Sequence, residues 1–223
     1  MLIANNIIKN HFQNIYFITG GPCGGKTTVS KYLAKKYDMI LYNWDEHFPD
    51  YQAVSTPEYQ PALCSRTTFE SWEEYFMRPV EEFAEWGKKS FEEQTGMVVA
   101  DLLRISGSSG NKKILVDGFF SVNILKEISD YTRVVFLIAS EEVVRHYYFN
   151  REDKRDMFEC IKGLKDPEAA FENTFRSMFY KAEENEYDIQ NSGFKYFKRE
   201  TMGTNPNDLI NQVEEHFGFN KKV

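Results

Sequence analysis

The chain is poor in cysteine. Its 223 residues hold three, Cys23, Cys64 and Cys160, far apart and with no Cys-x-x-Cys pair. That spacing supports neither a disulfide framework nor a zinc site, and it reads as a protein of a reducing cytoplasm. There is no basic excess either: 27 Lys and Arg face 34 Asp and Glu, a net charge of −7. A nucleic-acid channel is not expected from that balance. Long apolar runs are missing. The longest, "VVFLIA" from Val134 to Ala139, is too short for a bilayer. The opening "MLIANNIIKNHF" lacks the basic start and long apolar core of a signal peptide. No internal repeat occurs, and "SGSSGN" (106–111) reads as a loop or short linker.

What is present suits one α/β domain over 1–223. Hydrophobic residues make up 42% of the chain and aromatics 16%, enough for a sizeable core. Five runs read as strands: "IYFIT" (15–19), "MILYNW" (39–44), "KILVD" (113–117), "RVVFLIA" (133–139) and "FKYFK" (194–198). Most are continuously apolar rather than alternating, which predicts a parallel sheet covered on both faces. Helical spacing appears between them. Val29 and Leu33 share a face, as do Val143, Val144, Tyr147 and Tyr148, and Phe171, Phe175, Met178 and Ala182 form a further stripe. Near the end Asn205 is placed to cap a helix that starts at Pro206 and turns Leu209, Ile210, Val213 and Phe217 inward. The β-α alternation implies an α/β sandwich. Between the second and third strands, 46–110 reads as a helical insertion. It carries apolar stripes through Trp72, Phe76, Val80 and Phe83 and through Val98, Leu102 and Ile105, with Pro79 kinking or breaking the first.

Strand 1 runs directly into "GGPCGGKTT". Gly20, Gly21, Pro22, Cys23, Gly24, Gly25, Lys26, Thr27 and Thr28 fit the phosphate-loop pattern between a strand and a helix. Backbone N–H groups that converge on a phosphate need angles that side chains disfavour, hence the glycines. The following helix adds its unpaired N–H groups and the positive end of its dipole. Lys26 supplies a mobile charge for the β- and γ-phosphates, and Thr27 offers a hydroxyl to Mg²⁺. The alternative is a glycine-rich turn with an incidental lysine. No Asn-Lys-x-Asp-like guanine-reading segment is present, and a motor ATPase needs a longer chain.

The phosphate loop, "WDEHFPDY", "LVDGFF" and an arginine stretch (145–155) together resemble the nucleoside-monophosphate-kinase-like group of P-loop kinases. That group includes adenylate, shikimate and gluconate kinases and zeta-toxin-like relatives. The resemblance implies a three-layer P-loop sandwich with a five-stranded parallel sheet in the order 2-3-1-4-5. It also implies two mobile covers, the acceptor-binding insertion at 46–110 and a lid at 145–175. Asp45 lies just past strand 2, where hydroxyl-phosphorylating members hold an acceptor-contacting Asp; Asp45, Pro49 and Tyr51 look like the zeta-toxin-like arrangement. The alternative for Asp45 is a turn carboxylate or helix cap. Asp117 ends strand 3 as a Walker-B-type carboxylate for Mg²⁺ would. Asp117-Gly118-Phe119 resembles the Asp-Gly-Phe of adenylate kinases, but Phe120-Ser121 replaces the Pro-Arg that follows there. Arg151 and Arg155, four apart, would share a helical face and are the lid candidates, with Arg176 behind them; Glu152, Asp153, Asp156 and Glu159 equally fit ordinary surface pairs. Thr201 to Thr204 occupy the place where relatives hold adenine. Arg66, Arg78 and Arg104 are candidates for an anionic acceptor.

The expectation is an ATP- and Mg²⁺-dependent small-molecule kinase acting on a hydroxyl. Lys26, Asp45, Arg151 and Arg155 would be its catalytic residues, and Thr27 and Asp117 its metal ligands. A nucleotide or nucleoside kinase is the second reading, and a nucleotide-binding regulatory protein with slow hydrolysis the third.

Overall fold

A computed structural model describes residues 5–65, 68–110 and 112–220. The apolar runs form β1 (Ile15–Thr19), β2 (Ile40–Asn43), β3 (Ile114–Asp117), β4 (Val134–Ala139) and β5 (Lys195–Arg199). They make one sheet in the order β2-β3-β1-β4-β5, with every neighbouring pair parallel. The connections are α1 (Asn5–His11), α2 (Lys26–Lys36), α3 (Trp44–Val54), α4 (Pro61–Ser65), α5 (Trp72–Met77), α6 (Val80–Ser108), α7 (Val122–Ile128), α8 (Glu141–Tyr147), α9 (Arg155–Lys162), α10 (Pro167–Met178), α11 (Ala182–Gln190) and α12 (Pro206–His216). This is the three-layer α/β sandwich with an insertion after the second strand. Among the described residues no helix is long and apolar enough to cross a membrane.

The layers follow from the period-2 geometry of strands. Ile15 and Phe17 of β1 and Ile114 and Val116 of β3 face one way, into a core with Phe12 just past α1, Val98 and Leu102 of α6, and Leu125 of α7. Ile18, Leu115, Val135 and Leu137 face the other way, against Val29 and Leu33 of α2, Ile210 and Val213 of α12, and Phe217 just past it. Asn205 caps α12 as expected, accepting from the N–H of Asn207 at 3.0 Å.

Several boundaries differ from the sequence reading. Strand 2 stops at Asn43, because the Asn43 side chain accepts from the Asp45 N–H and starts α3 at Trp44. The loop expected at 106–111 is helical through Ser108. Ser106 donates to the His11 carbonyl at 2.6 Å and thereby ties the end of α6 to α1. The stripe from Phe171 does not reach Ala182 in one helix: α10 ends at Met178, and Lys181 takes a left-handed φ of 57° before α11 begins. Strand 5 runs one residue further, to Arg199.

Pro79 does break the insertion, separating α5 from the 29-residue α6. The aromatic residues around this break do not form a free-standing cap. Tyr75, Phe76 and Phe83 share one apolar cluster with Ile161 of α9 and Ala170 of α10, and Phe69, Trp86, Phe149, Met157 and Phe171 pack around it. Polar ties reinforce the joint. The Lys165 N–H donates to Glu73 at 2.9 Å, Tyr180 donates to Glu81 at 2.6 Å, and the Asn173 amide donates to the carbonyls of Phe76 and Arg78, both at 2.8 Å. The insertion and the 145–175 region are thus held together by a common core. Asn173→Ala strips two carbonyls at the helix break of their donor. It should lower stability by about 1–3 kcal/mol, read as a fall in the urea midpoint; an unchanged midpoint would show that this joint carries no load.

Candidate active site

The register of the sheet brings the chemistry to one edge. Ile18 of β1, Asp117 of β3 and Asn43 of β2 lie side by side at the carboxyl ends of their strands. Everything that follows them emerges on the same side, where open α/β sheets hold ligands.

The phosphate loop is shaped by its contact with β4. A Cβ on Gly20 or on Gly24 would come within 2.2 Å of the Leu137 carbonyl oxygen, and Gly20 also has φ +123°. Gly25, at φ +96°, turns the chain into α2, where Lys26 is the first residue, followed in that turn by Thr27 and the exposed Thr28. Gly21, Pro22 and Cys23 form the outer part, and Cys23 holds a left-handed φ of 57°.

Lys26 curls back to donate to the Gly21 carbonyl at 2.7 Å. Burial pulls its ammonium below the usual lysine range, while Asp117 and Asp45 pull the other way. Asp117 is only 4% exposed. Burial raises its carboxyl pKa against the opposing effects of Lys26 and of hydrogen bonds from Thr27 and Ser30. The Ser30 hydroxyl is 3.2 Å from Asp117 Oδ2. Ser30 escaped the sequence reading, although its place four residues after Lys26 puts it on the same helical face.

Asp45 stands exposed in the first turn of α3. It is not the cap: Asn43 is, and the Asn43 amide also donates to Glu46 at 2.9 Å. Among the described residues the Asp45 carboxylate makes no hydrogen bond, yet it is close enough to Lys26 and Asp117 to act on both electrostatically. Its helix is anchored from below. Trp44, 2% exposed, donates from Nε1 to Gln94 of α6 at 2.9 Å, and Tyr51 donates to Asp101 of α6 at 2.8 Å. Tyr42 contacts the Tyr51 hydroxyl, and burial pushes its phenol up to about 12. His47 stacks on Tyr42 with ring centroids 4.4 Å apart. Gly118 completes the join, since a Cβ there would lie 2.8 Å from the Trp44 indole. Ser121, which stands where the resemblance leads one to expect an arginine, caps α7 instead.

The arginines do not behave as a pair. Arg151 is extended (φ −81°, ψ 141°) between two short 3-10 turns, and α9 begins only at Arg155. The two therefore share no helical face. Arg151 forks onto Asp153 (2.9 and 2.7 Å) and also lies within hydrogen-bonding reach of the Cys23 thiol. Burial raises that thiol's pKa, against Arg151. Arg155 is exposed, and Arg176 on α10 is exposed as well. Arg145 is committed elsewhere, to Glu141 at 2.7 Å and Glu172 at 2.8 Å. In the insertion, the Arg78 guanidinium sits among the rings of Phe69, Tyr75, Phe83 and Trp86, 4.2–5.3 Å from their centroids, and Arg104 pairs with Asp101 at 3.3 Å. Arg66 lies outside the described residues.

A cation that sequence reasoning missed sits at the end of β5. Arg199 places its guanidinium 4.5 Å from the Tyr147 ring centroid and points Nη1 at the Cys23 carbonyl, 3.5 Å away. Its Nη2 and the Tyr147 hydroxyl both donate to the Met202 carbonyl, at 3.2 and 3.3 Å. The segment Thr201 to Thr204 is thereby drawn beside the phosphate loop, and Thr204 closes it by donating to the Thr201 carbonyl at 2.9 Å.

No family model matches the sequence, and no curated protein matches it. Solved structures do resemble the fold. A shikimate kinase from Acinetobacter baumannii in complex with shikimate aligns at 17% identity and TM-score 0.45, over 96% of this chain and 99% of that one. A deoxyadenosine kinase from M. mycoides aligns at 15% identity and TM-score 0.41, over 92% and 99%.

The buried pair at the loop has a measurable signature. Because the folded-state pKa of Asp117 is raised, the stability it contributes is greatest below its unfolded pKa of about 4 and is lost as pH rises through the folded value. Asp117→Asn abolishes that loss. In the ligand-free protein the variant's urea midpoint should exceed the wild type's near pH 8 and converge with it toward about pH 4. A difference that does not change with pH would contradict the assignment.

Proposed function

We propose that the chain is a kinase that transfers the γ-phosphoryl group of ATP to a hydroxyl of a small-molecule acceptor, with Mg²⁺. The observation that carries this reading is the exposed, unpaired Asp45 carboxylate beside Lys26 and Asp117 at the phosphate loop. A loop that only held nucleotide would need no such group. An acceptor hydroxyl needs an oxygen that orients it and takes its proton.

In this reading the loop amides and the start of α2 receive the phosphates, and Lys26 exchanges the Gly21 carbonyl for the β- and γ-oxygens. The base takes the space beside Tyr147 and residues 201–204. Thr27 and Asp117 suit Mg²⁺: one hydroxyl and one carboxylate, close enough for Thr27 to lower the Asp117 pKa, match a hard ion that keeps most of its waters and binds mainly through phosphate oxygens. When bound, the ion neutralises phosphate charge. Asp45 aligns the acceptor hydroxyl. The acceptor oxygen bonds to the γ-phosphorus, and the bond from that phosphorus to the β–γ bridging oxygen breaks. ADP leaves with the electron pair, and the hydroxyl proton passes to Asp45. Arg151, beside Cys23, is the cation placed to offset charge on the transferring group. Arg155 reaches the phosphates only if the 145–175 region moves.

The test is ADP release from Mg·ATP across hydroxylated metabolites, sugars, nucleosides and nucleoside monophosphates. Lys26→Ala should lower acceptor-dependent release by about three orders of magnitude. Asp45→Asn should lower kcat by about 10²–10⁴-fold and leave the KM for ATP nearly unchanged. Near-normal turnover in Lys26→Ala would sink the mechanism. A response to monophosphates with Asp45→Asn silent would favour a nucleotide kinase, and ATP binding with no acceptor response would return the chain to a regulatory role.

A further inference from the structure

Two residues past Asp117 a row of aromatic rings begins whose outer members are exposed. Phe119 follows Asp117 by two residues and is 44% exposed; Phe91, on α6, is 38% exposed. Their centroids are 4.8 Å apart with the planes tilted by 39°. Phe91 sits edge-on to Trp44 at 6.3 Å, and Trp44 sits edge-on to Phe120 at 4.9 Å. The row Phe119, Phe91, Trp44, Phe120 thus begins in solvent and ends in the core, where Phe120 is 3% exposed. Its inner half is fixed. Trp44 is held by Gln94, and the Phe120 N–H donates to the Thr19 hydroxyl at 2.9 Å. Trp44 immediately precedes Asp45 and Phe119 follows Asp117 by two residues, so the row starts and ends at the same edge of the sheet as the two carboxylates.

The charged groups of this locality are the Asp45 and Asp117 carboxylates and the Lys26 ammonium, with the Arg151 guanidinium near enough to act on Lys26. In the proposed reaction the nucleotide phosphates engage both cations. Among the described residues, the insertion's arginines are spent elsewhere: Arg78 is enclosed by four rings, and Arg104 is paired with Asp101. The position after Phe120 holds a serine that caps α7. Among the described residues, a phosphorylated or carboxylated acceptor seated on the two phenyl rings would find the Asp45 carboxylate and no guanidinium of the insertion free to receive it. A neutral flat ring would gain stacking on both phenyl groups, worth about 0.5–1.5 kcal/mol per ring pair beyond the area buried.

We infer that Phe91 and Phe119 form the acceptor platform and that the acceptor is an uncharged molecule with a planar ring and a nearby hydroxyl, such as a nucleoside or an aromatic alcohol, rather than a sugar acid or a nucleoside monophosphate. This inference rests on the kinase reading above. The ring stacks on the two phenylalanines and hands its hydroxyl to Asp45; specificity comes from stacking and shape rather than from an ion pair.

The experiment uses the full chain with Mg·ATP and a panel of adenosine, thymidine, pyridoxine and 2-phenylethanol against gluconate, shikimate and AMP. ADP release is followed for each. Ligand saturation-transfer NMR is recorded for each in parallel, with a non-hydrolysable ATP analogue. At least one neutral aromatic compound should raise ADP release or give a transfer signal above every anionic one. The double change Phe91→Ala with Phe119→Ala should raise that compound's KM, or weaken its binding, by tenfold or more, on the order of 1.4 kcal/mol, with a smaller effect on the KM for ATP. Phe119→Tyr should restore most of the loss, which a purely structural role would not explain. The inference is overturned if an anionic acceptor leads the panel, if no neutral aromatic member responds in either measurement, or if the double variant leaves the response intact and instead changes the oligomeric state in solution. Failure of ATP itself to bind would overturn the kinase reading, a result separable from all of these.

Discussion

Asp117 is held almost out of water beside a half-buried Lys26, and the rest of the site is arranged around that fact. Each group is disfavoured by burial more than it is favoured by its partner, as the opposite shifts of their pKa values show. Such a pair survives only where several elements hold it at once. Here β3 delivers Asp117, α2 delivers Lys26, Thr27 and Ser30, and the loop lies across the Leu137 carbonyl so closely that only glycine fits at positions 20 and 24. A phosphate-bearing ligand would relieve the strain by giving Lys26 better acceptors than a single carbonyl. Binding and local instability are in this sense the same property.

The second constraint is the contact of Gly118 with the Trp44 indole. It ties the end of β3 to the start of α3 and so fixes the spacing between the buried carboxylate and the exposed one. Two acids with opposite surroundings can hold different roles on one sheet edge. One is shielded and hydrogen-bonded, the other free and solvated. The insertion enters this arrangement through α6, whose Gln94 and Asp101 hold Trp44 and Tyr51 from behind.

Much of this was legible in the sequence, for identifiable reasons. Short continuous apolar runs bounded by turn residues fit strands covered on both faces, and the five expected strands appeared within a residue or two of their limits. The phosphate loop is read from glycine spacing, and Asp45 and Asp117 from their position just past a strand or at its end. The arginines were not legible. Helical spacing joined Arg151 to Arg155, but the chain is extended at Arg151 because Asp153 and the phosphate loop hold its side chain there. Phe91 was hidden among Ser90, Glu92 and Glu93, which look like an exposed helical face; its value depends on Trp44 and Phe119, which come from distant parts of the chain. Arg199 was masked by its place at the end of an edge strand, where a basic residue ordinarily needs no explanation.

The aromatic core shared by the insertion and the 145–175 region has a kinetic meaning. Separating the two would expose Tyr75, Phe76 and Phe83 to water at about 1.5–3 kcal/mol for each phenylalanine-sized side chain. Independent opening is therefore the expensive route, and the insertion and the 145–175 region behave as one packed body. In the proposed reaction the two substrates would then enter and leave through a single opening event, and the dwell time of one would set the earliest escape of the other.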